Sequence, residues 1–274
     1  MKKISRRSFL AAAAVSAAAL ALTACGGASS SVASSVASSA AASNSASGSL
    51  ATVVAGKLTM ATNATFPPYE MTTDAGDIEG IDVETAQAIA DKLGLELQID
   101  DMDFDAALLS VQQGKADIAM AGVTVTDERK AVMDFSDSYA TGIQSIIVPE
   151  GSDITSPDDL AGKKIGTQRG TTGYIYCSDD FGDDAVVAYD DGLTAVQALN
   201  NGQVDAVVID NAPAKEFVAA NPGLVILDTS YAEEDYAIGL AKGSALEDAV
   251  NAALEELKAD GTLQSIVDKY ITAE

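Results

Sequence analysis

The residues with the clearest chemistry lie in one short segment, AGVTVTDERK, from Ala121 to Lys130. Small and β-branched residues give way there to charged ones, which is the pattern of a strand followed by the start of a helix. Thr126 is a favoured N-cap, and a cation at Arg129 in the first helical turn is unfavourable unless an anion lies beside it. An arginine can hold a carboxylate through two parallel hydrogen bonds. The segment therefore predicts either a carboxylate-binding arginine or a surface arginine paired with Asp127 or Glu128.

A second candidate, Asp210, ends the apolar run AVVI, and its surroundings repeat an earlier pattern. The segments LLSVQQGKADIAMAG and AVQALNNGQVDAVVID both read as a helix, a glycine, polar residues, an aspartate and a buried strand. Ligands of open α/β sheets bind beyond the carboxyl ends of the strands, so the two copies would bring Gly122, Thr124 and Arg129 together with Asp210. A cation with hydroxyls facing an anion complements a zwitterion. The alternative for Asp210 is the N-cap of a helix that begins near Asn211.

Three further residues could contribute to the same site. Thr172 lies in GTTGY, which reads as a helix start that either binds an anion or is simply capped by its threonines. Phe66 in FPPYE and Phe104 in MDFD each follow a predicted strand. Both aromatic residues could belong to the core, or they could enclose the aliphatic part of a ligand at the site.

Alternating strands and helices must position these residues. The strands are predicted at KLTMAT, LELQI, ADIAMAG, KKIGT, AVVAY and DAVVID, and the helices at IDVETAQAIADKLG, DAALLSVQQG, TTGYIYCSD, GLTAVQALNNG and NAPAKEFVAAN. The last segment predicts two helices that are broken at Gly261. Repeated units of this kind predict an α/β fold of mostly parallel sheets flanked by helices, and the internal repeat predicts two such lobes.

The N-terminus is predicted to be a targeting segment. MKKISRRSFL is basic, an alanine-rich apolar run follows it, and LTAC ends in Cys25. This order resembles a lipoprotein signal peptide over residues 1–24, with cleavage before Cys25 and a lipid on its sulfur. An ordinary signal peptide is the alternative, and the pair of arginines leaves the export route open. Residues 25–55 are rich in Ser and Ala and predict a flexible tether.

The composition excludes several functions. The 274-residue chain carries a net charge of −25, which argues against nucleic acid as a partner and against direct adhesion to anionic lipid. It contains no histidine, so Ser-His-Asp and Cys-His catalytic units and histidine-ligated zinc are excluded. Cys177 is the only thiol left once Cys25 is lipidated, and it has no assigned role. We predict no catalytic residue, no cofactor and no metal.

The whole folded region, from about Lys57 to Tyr270, resembles a known family. ATNATFPPYE, GIDVETAQAIADKLG, MDFDAALLSVQQGKADIAMAGVTVTDERKAVMDFSDSY, DLAGKKIGTQRGTTG and YAIGLAKGS together resemble the family 3 extracellular solute-binding proteins of amino-acid ABC transporters. The resemblance implies a two-lobed periplasmic-binding-protein-like fold of type II, joined by two crossover strands near Ser145 and Glu233. Lobe 1 would comprise residues 56–145 and 234–274, and lobe 2 residues 146–233.

The resemblance also implies a role for each candidate. Arg129 would bind the α-carboxylate of an amino acid, helped by Thr124 and by the backbone near Thr172. Asp210 and the carbonyl of Gly122 would bind the α-ammonium group. The remaining positions implied are a backbone contact, two flanking aromatic rings and a residue that tunes the side-chain pocket: Ala121, Phe66, Phe104 and Gln168.

One departure from the family concerns the ligand side chain. Many relatives that bind basic or amide ligands have Asp where this chain has Asn63. A neutral amide removes a charge that would pair with a basic side chain, so Asn63 favours a polar ligand that is not basic. Arg169, beside Gln168, could instead indicate an acidic ligand, or it could simply face solvent.

These features predict a monomeric, lipid-anchored receptor that captures a free L-amino acid and delivers it to an ABC permease. It would lie on the extracellular face of the cytoplasmic membrane, which is the periplasmic side where an outer membrane exists. The alternatives are an enzyme on the same scaffold, similar to cyclohexadienyl dehydratase, and a sensor domain that reports a ligand to a signalling partner.

Overall fold

The computed structural model describes residues 50–271 of the chain. The predicted signal peptide, Cys25 and nearly all of the predicted tether lie outside the described residues.

The first half of the described chain begins with a strand, a small hairpin region and two helices. Its elements are β1 Lys57–Thr62, β2 Thr65–Phe66, β3 Glu70–Thr72, β4 Ile78–Glu79, α1 Ile81–Leu93, β5 Glu96–Asp101, α2 Phe104–Gln112, β6 Ile118–Ala119, α3 Asp127–Val132, β7 Met133–Phe135 and β8 Ala140–Pro149.

The second half continues the alternation and ends in two helices. Its elements are β9 Ile165–Gln168, α4 Thr172–Phe181, β10 Val186–Tyr189, α5 Gly192–Asn200, β11 Ala206–Asp210, α6 Asn211–Ala220, β12 Leu224–Ile226, β13 Ala232–Tyr236, β14 Gly239–Ala241, α7 Glu247–Ala259 and α8 Thr262–Tyr270. Short 3₁₀ turns cover Pro157–Leu160 and Asp183–Ala185.

Two mixed sheets organise these elements. The first has the order β5-β1-β6-β14-β7, in which β1 is parallel to β5 and β6, and β14 is antiparallel to its neighbours. The second has the order β10-β9-β11-β8-β12, with β9 parallel to β10 and β11, and β8 antiparallel to β11 and β12. Strand β13 pairs with β8, and a small third sheet has the order β2-β3-β4. The predicted two-lobed α/β fold is confirmed, although each sheet is only partly parallel.

Helices bury their apolar faces against these sheets. In α1 the positions Ile81, Ala86, Ile89 and Ala90 are buried, as the helical period predicts, and the helix ends at Gly94, whose φ of 68° is left-handed. At the C-terminus, α7 and α8 are separated at Gly261, as predicted.

The strands that the sequence analysis did not identify are either very short or lack the apolar pattern of a strand. β2, β3 and β4 have only two or three residues each, and β13 has the acidic sequence AEEDY. The predicted strand ADIAMAG contracts to the two residues of β6. No helix among residues 50–271 is long and apolar enough to cross a bilayer.

Candidate functional site

One cleft brings together every residue that the sequence analysis proposed as a ligand contact. The cleft holds about 420 Å³ of space free of atoms, counted out to its opening. The ten predicted residues that line it are Asn63, Phe66, Phe104, Ala121, Gly122, Thr124, Arg129, Gln168, Thr172 and Asp210.

Arg129 lies in the cleft and not on the surface, with only 8% of its area exposed. Thr126 caps α3 by accepting a hydrogen bond from the Arg129 backbone N–H at 3.1 Å, as predicted. The guanidinium donates to the carbonyl of Thr124 at 2.7 Å and to that of Gly170 at 3.1 Å. Its Cζ atom lies 5.3 Å from the centre of the Phe104 ring. Burial lowers the pKa of Arg129, and the charge of Glu234 opposes this shift. The guanidinium stays cationic, because arginine is not deprotonated in proteins.

Asp210 combines the two interpretations that the sequence left open. One carboxylate oxygen caps α6 by accepting from the backbone N–H of Ala212 at 3.0 Å, and the other accepts from that of Ile143 at 2.8 Å. The side chain also lines the cleft, with 2% of the residue exposed. Burial raises the pKa of Asp210 to about 6, against the two backbone hydrogen bonds that lower it.

The backbone around Gly122 is pressed against aromatic rings. Its φ is 54°, and a Cβ atom there would lie 2.8 Å from Cε1 of Phe66 and 3.2 Å from Cε2 of Tyr236. A glycine is therefore required both by the left-handed backbone and by the close approach of the rings. The Gly122 N–H donates to the buried carboxylate of Asp82 at 3.0 Å, which leaves its carbonyl as the group available to a ligand.

Asn63 and Gln168 form a direct contact. Gln168 Nε2 donates to Asn63 Oδ1 at 2.8 Å and lies 3.3 Å from the carbonyl of Asp190. The Asn63 side chain also accepts from the Thr65 hydroxyl at 3.0 Å and donates to the carbonyl of Met102 at 3.1 Å. This pair ties the end of β1 to the end of β9.

Glu234 on β13 joins the two threonines of the predicted carboxylate site. Its Oε2 accepts from the hydroxyl of Thr172 at 2.9 Å, from that of Thr124 at 3.1 Å and from Gln144 Nε2 at 3.0 Å. The carboxylate is buried, with 6% of the residue exposed, and its charge acts on Arg129. It holds hydroxyls from the segment that follows β6 and from the start of α4 at one point of the cleft.

Several cleft residues were missed by the sequence analysis. Those that line the cleft are Glu70, Gln144, Thr171, Ile209 and Tyr236, and Glu234 and Asp82 stand directly behind them. Glu70 stood inside the quoted motif FPPYE, and Thr171 inside GTTGY, so both carried a local signal. The remaining residues lie in strands or, for Asp82, in α1, and only the folding of the chain brings them to the cleft.

Arg169 does not enter the cleft lining and is exposed, with its guanidinium 3.6 Å from Asp190. The solvent-facing interpretation of this residue therefore fits the structure. Within residues 50–271 no cluster of histidine, cysteine, aspartate and glutamate has the arrangement needed to hold a metal ion.

A buried cation and a buried anion line one cleft between two mixed α/β sheets, an arrangement that suits the binding of a small charged molecule. The comparisons with known proteins agree with this class. The model of the bacterial extracellular solute-binding proteins of family 3 matches residues 58–273, and the chain belongs to this family.

Individual relatives cover nearly the whole chain. It is 33% identical over 271 residues to a protein of Neisseria gonorrhoeae named as a probable histidine-binding protein, covering 96% of this chain and 95% of the other. Among solved structures, the arginine-, lysine-, histidine-binding protein ArtJ of Geobacillus stearothermophilus is 34% identical, with a TM-score of 0.76 over 80% of this chain and 96% of ArtJ.

A third match is an ancestral arginine-binding protein bound to glutamine. It is 41% identical, with a TM-score of 0.76 over 80% of this chain and 100% of the other. These relatives are named as binding proteins and not as enzymes, in agreement with the prediction that this chain is not an enzyme.

Proposed function

We propose that this protein captures a free L-amino acid in the cleft and delivers it to the permease of an ABC transporter. The observation that carries the proposal is the placement of Arg129 and Asp210 in one buried cleft. Every α-amino acid presents a carboxylate and an ammonium group, which these two side chains complement. The names of the relatives, which include histidine, arginine, lysine and glutamine among their ligands, support the same class of ligand.

The geometry of the cleft supports a set of ligand contacts. Arg129 would bind the ligand carboxylate, helped by the backbone N–H near Thr172 and by Thr124, whose hydroxyl would turn to the ligand from Glu234. Asp210 and the carbonyl of Gly122 would receive the ammonium group. The hydrogen bonds that Arg129 now makes use backbone carbonyls, so its charge has no carboxylate bonded to it among the described residues.

Phe66 and Phe104 would flank the ligand side chain, and Ala121 would supply a backbone contact. Asn63 and Gln168 would lie at the side-chain pocket. The prediction from Asn63 that the ligand side chain is polar and not basic stays a prediction.

The two sheets support a division into two lobes. The first sheet draws its strands from residues 57–135 and 239–241, and the second from residues 140–236. We propose lobe 1 as residues 56–145 and 234–274 and lobe 2 as residues 146–233, with β8 and β13 as the crossovers. We propose that the protein acts as a monomer.

An unfolding experiment tests the ligand class. The melting temperature of the purified protein is measured with each standard amino acid, with ornithine and with cystine. A ligand present at 100 times its Kd adds about 2.7 kcal/mol of stability, which for this size raises Tm by about 5–10 °C. We expect one amino acid or a few related ones to give such a shift. A uniform absence of shifts would refute amino-acid capture.

A fractionation experiment tests the proposed lipid anchor. Cells that express the wild-type chain should hold it in the membrane fraction, because an acylated Cys25 inserts its chains into the bilayer. Cys25→Ser should move the protein to the soluble fraction, whereas Cys177→Ser should leave it at the membrane. Retention of Cys25→Ser in the membrane fraction would contradict the anchor.

A further inference from the structure

Glu234 uses a hydroxyl that the ligand carboxylate would need. Its Oε2 atom accepts hydrogen bonds from the hydroxyls of Thr124 at 3.1 Å and Thr172 at 2.9 Å, and from Nε2 of Gln144 at 3.0 Å. Tyr176 is a further side-chain hydrogen-bond partner of this acid. A threonine hydroxyl has a single hydrogen to donate, so Glu234 and a ligand carboxylate compete for that of Thr124.

The partners of Glu234 come from both sides of the cleft. Thr124 follows β6 of the first sheet and forms a bridge with Tyr236, two residues after Glu234 on β13. Thr172 is the first residue of α4, which packs on the second sheet, and Gln144 lies on β8. Glu234 thus gathers around its own carboxylate groups from the same two sides that a ligand carboxylate would join.

A ligand carboxylate at the proposed position would lie close to Glu234. The Glu234 Oε2 atom is 3.1 Å from the Thr124 hydroxyl oxygen, and an O–H···O bond to a ligand adds about 2.8 Å, so the two acceptor oxygens would be no more than about 6 Å apart. Glu234 is buried, so its charge is only weakly screened. Two like charges at this distance repel each other.

Glu234 also supplies Arg129 with a counter-charge. Burial lowers the pKa of Arg129, and the charge of Glu234 is the strongest of the influences that raise it. The two side chains are joined through Thr124, whose carbonyl accepts from the guanidinium at 2.7 Å and whose hydroxyl donates to Glu234. The acid therefore balances, at longer range, the same cation that a ligand carboxylate would bond directly.

We propose that Glu234 is an internal stand-in for the ligand carboxylate, which balances Arg129 and holds the Thr124 hydroxyl until an amino acid takes it. Glu234 thereby sets the affinity of the cleft below the value that its other contacts would give. This inference rests on the proposed function. A lower affinity suits a protein that must hand its ligand on, because it shortens the residence time of the ligand.

A neutral isostere of Glu234 separates its charge from its shape. In Glu234→Gln the amide oxygen can still accept from the threonine hydroxyls, but the repulsion of a ligand carboxylate is removed. Calorimetric titration with the amino acid that stabilises the wild-type protein should give a Kd about 5- to 30-fold lower in this variant. Without ligand, its Tm should be lower than that of the wild type, because Arg129 loses its counter-charge. A damaged fold would weaken binding, so a structural role alone does not explain a gain of affinity.

Glu233→Gln is the matched control, because Glu233 is the exposed neighbour of Glu234 on β13 and the two variants have the same net charge. Its Kd and its Tm should stay at the wild-type values. A Kd in Glu234→Gln that equals or exceeds that of the wild type would overturn this inference and leave amino-acid capture standing. A higher Kd would show that Glu234 supports closure of the cleft and does not compete with the ligand.

A second neutral variant, Glu234→Ala, gives the same comparison should Glu234→Gln not fold. If neither variant folds, the carboxylate is a requirement of the fold and the inference is overturned. If the wild-type protein and Glu233→Gln bind no amino acid, the proposed function itself is wrong.

Discussion

Arg129 occupies a position that is unfavourable for a cation unless an anion lies nearby. It is in the first turn of α3, where the helix dipole repels positive charge, and it is buried. The backbone carbonyls of Thr124 and Gly170 hold the guanidinium in place but do not neutralise it. The charge of Glu234 acts on Arg129 without a direct hydrogen bond, and a ligand carboxylate would add a directly bonded counter-charge, which is the physical basis of the proposed site.

Asp210 leads to a prediction of pH dependence. Burial places its pKa at about 6, above the value of 3.8 for an unperturbed aspartate. A raised carboxyl pKa means that ionisation, between about pH 3.8 and 6, costs the ligand-free protein stability. An ammonium group favours the ionised form, so the affinity for an amino acid should be full above about pH 6 and should fall up to tenfold per pH unit below it.

Calorimetry between pH 4.5 and 8 measures this dependence. Asp210→Asn should bind weakly, and the fall in affinity below pH 6 should be reduced in it. Asp82 has a pKa raised to about 6 as well, but it is present in both proteins, so the difference between the two profiles isolates Asp210. A wild-type affinity that stays constant down to pH 4.5 would contradict an ammonium contact at Asp210.

At the scale of residues, sequence reasoning found the cleft lining where local signals exist. Arg129, Thr172 and Asp210 each stand at a helix start, where capping and dipole rules make a functional side chain conspicuous. Gln144 and Glu234 lie inside strands, and nothing in their neighbourhood distinguishes them from ordinary exposed polar residues. Only the folded chain brings them to the cleft.

At the scale of elements, the helices and the central strands follow from hydrophobic period. The amphipathic helices α1, α5, α7 and α8 begin and end close to where the sequence predicts. The strand β13 could not be predicted, because three acids in five residues oppose a strand by propensity. It forms because it pairs along β8, with Ala232 opposite Gln144 and Tyr236 opposite Ala140.

The pairing of β8 and β13 depends on one glycine. Gly142 on β8 faces the Tyr236 ring, and an added Cβ atom would lie 2.6 Å from its Cε1 and Oη atoms. Tyr236 is 1% exposed and is held by the packing around it, so the ring cannot move aside without cost. This contact fixes the spacing of the two strands that connect the sheets.

Gly142→Ala should therefore lower the free energy of unfolding by about 1–3 kcal/mol through overpacking. Urea denaturation followed by circular dichroism measures the change. Thr141→Ala, at an exposed neighbour on the same strand, is the control and should change the free energy by less than about 0.5 kcal/mol. Equal stability of Gly142→Ala and Thr141→Ala would show that the strands can separate to admit a methyl group.

At the scale of the whole molecule, polar contacts between the two sheets converge on the cleft. Gln168 meets Asn63, Arg129 meets the carbonyl of Gly170, and Glu234 holds hydroxyls from both sides. A ligand that joins the same groups would favour the closed arrangement of the lobes by its differential affinity for it. Binding of the amino acid and closure of the cleft would then be coupled in one equilibrium.

The most direct test of amino-acid capture is a calorimetric titration of Arg129→Ala with the amino acid that stabilises the wild-type protein. Loss of a buried charged contact should cost about 2–5 kcal/mol, which raises Kd by about 30-fold to several thousand-fold. Arg169→Ala, at the exposed arginine near the cleft, should bind as the wild type does. If folded Arg129→Ala binds the amino acid with wild-type affinity, the carboxylate is held elsewhere and the proposed site is wrong.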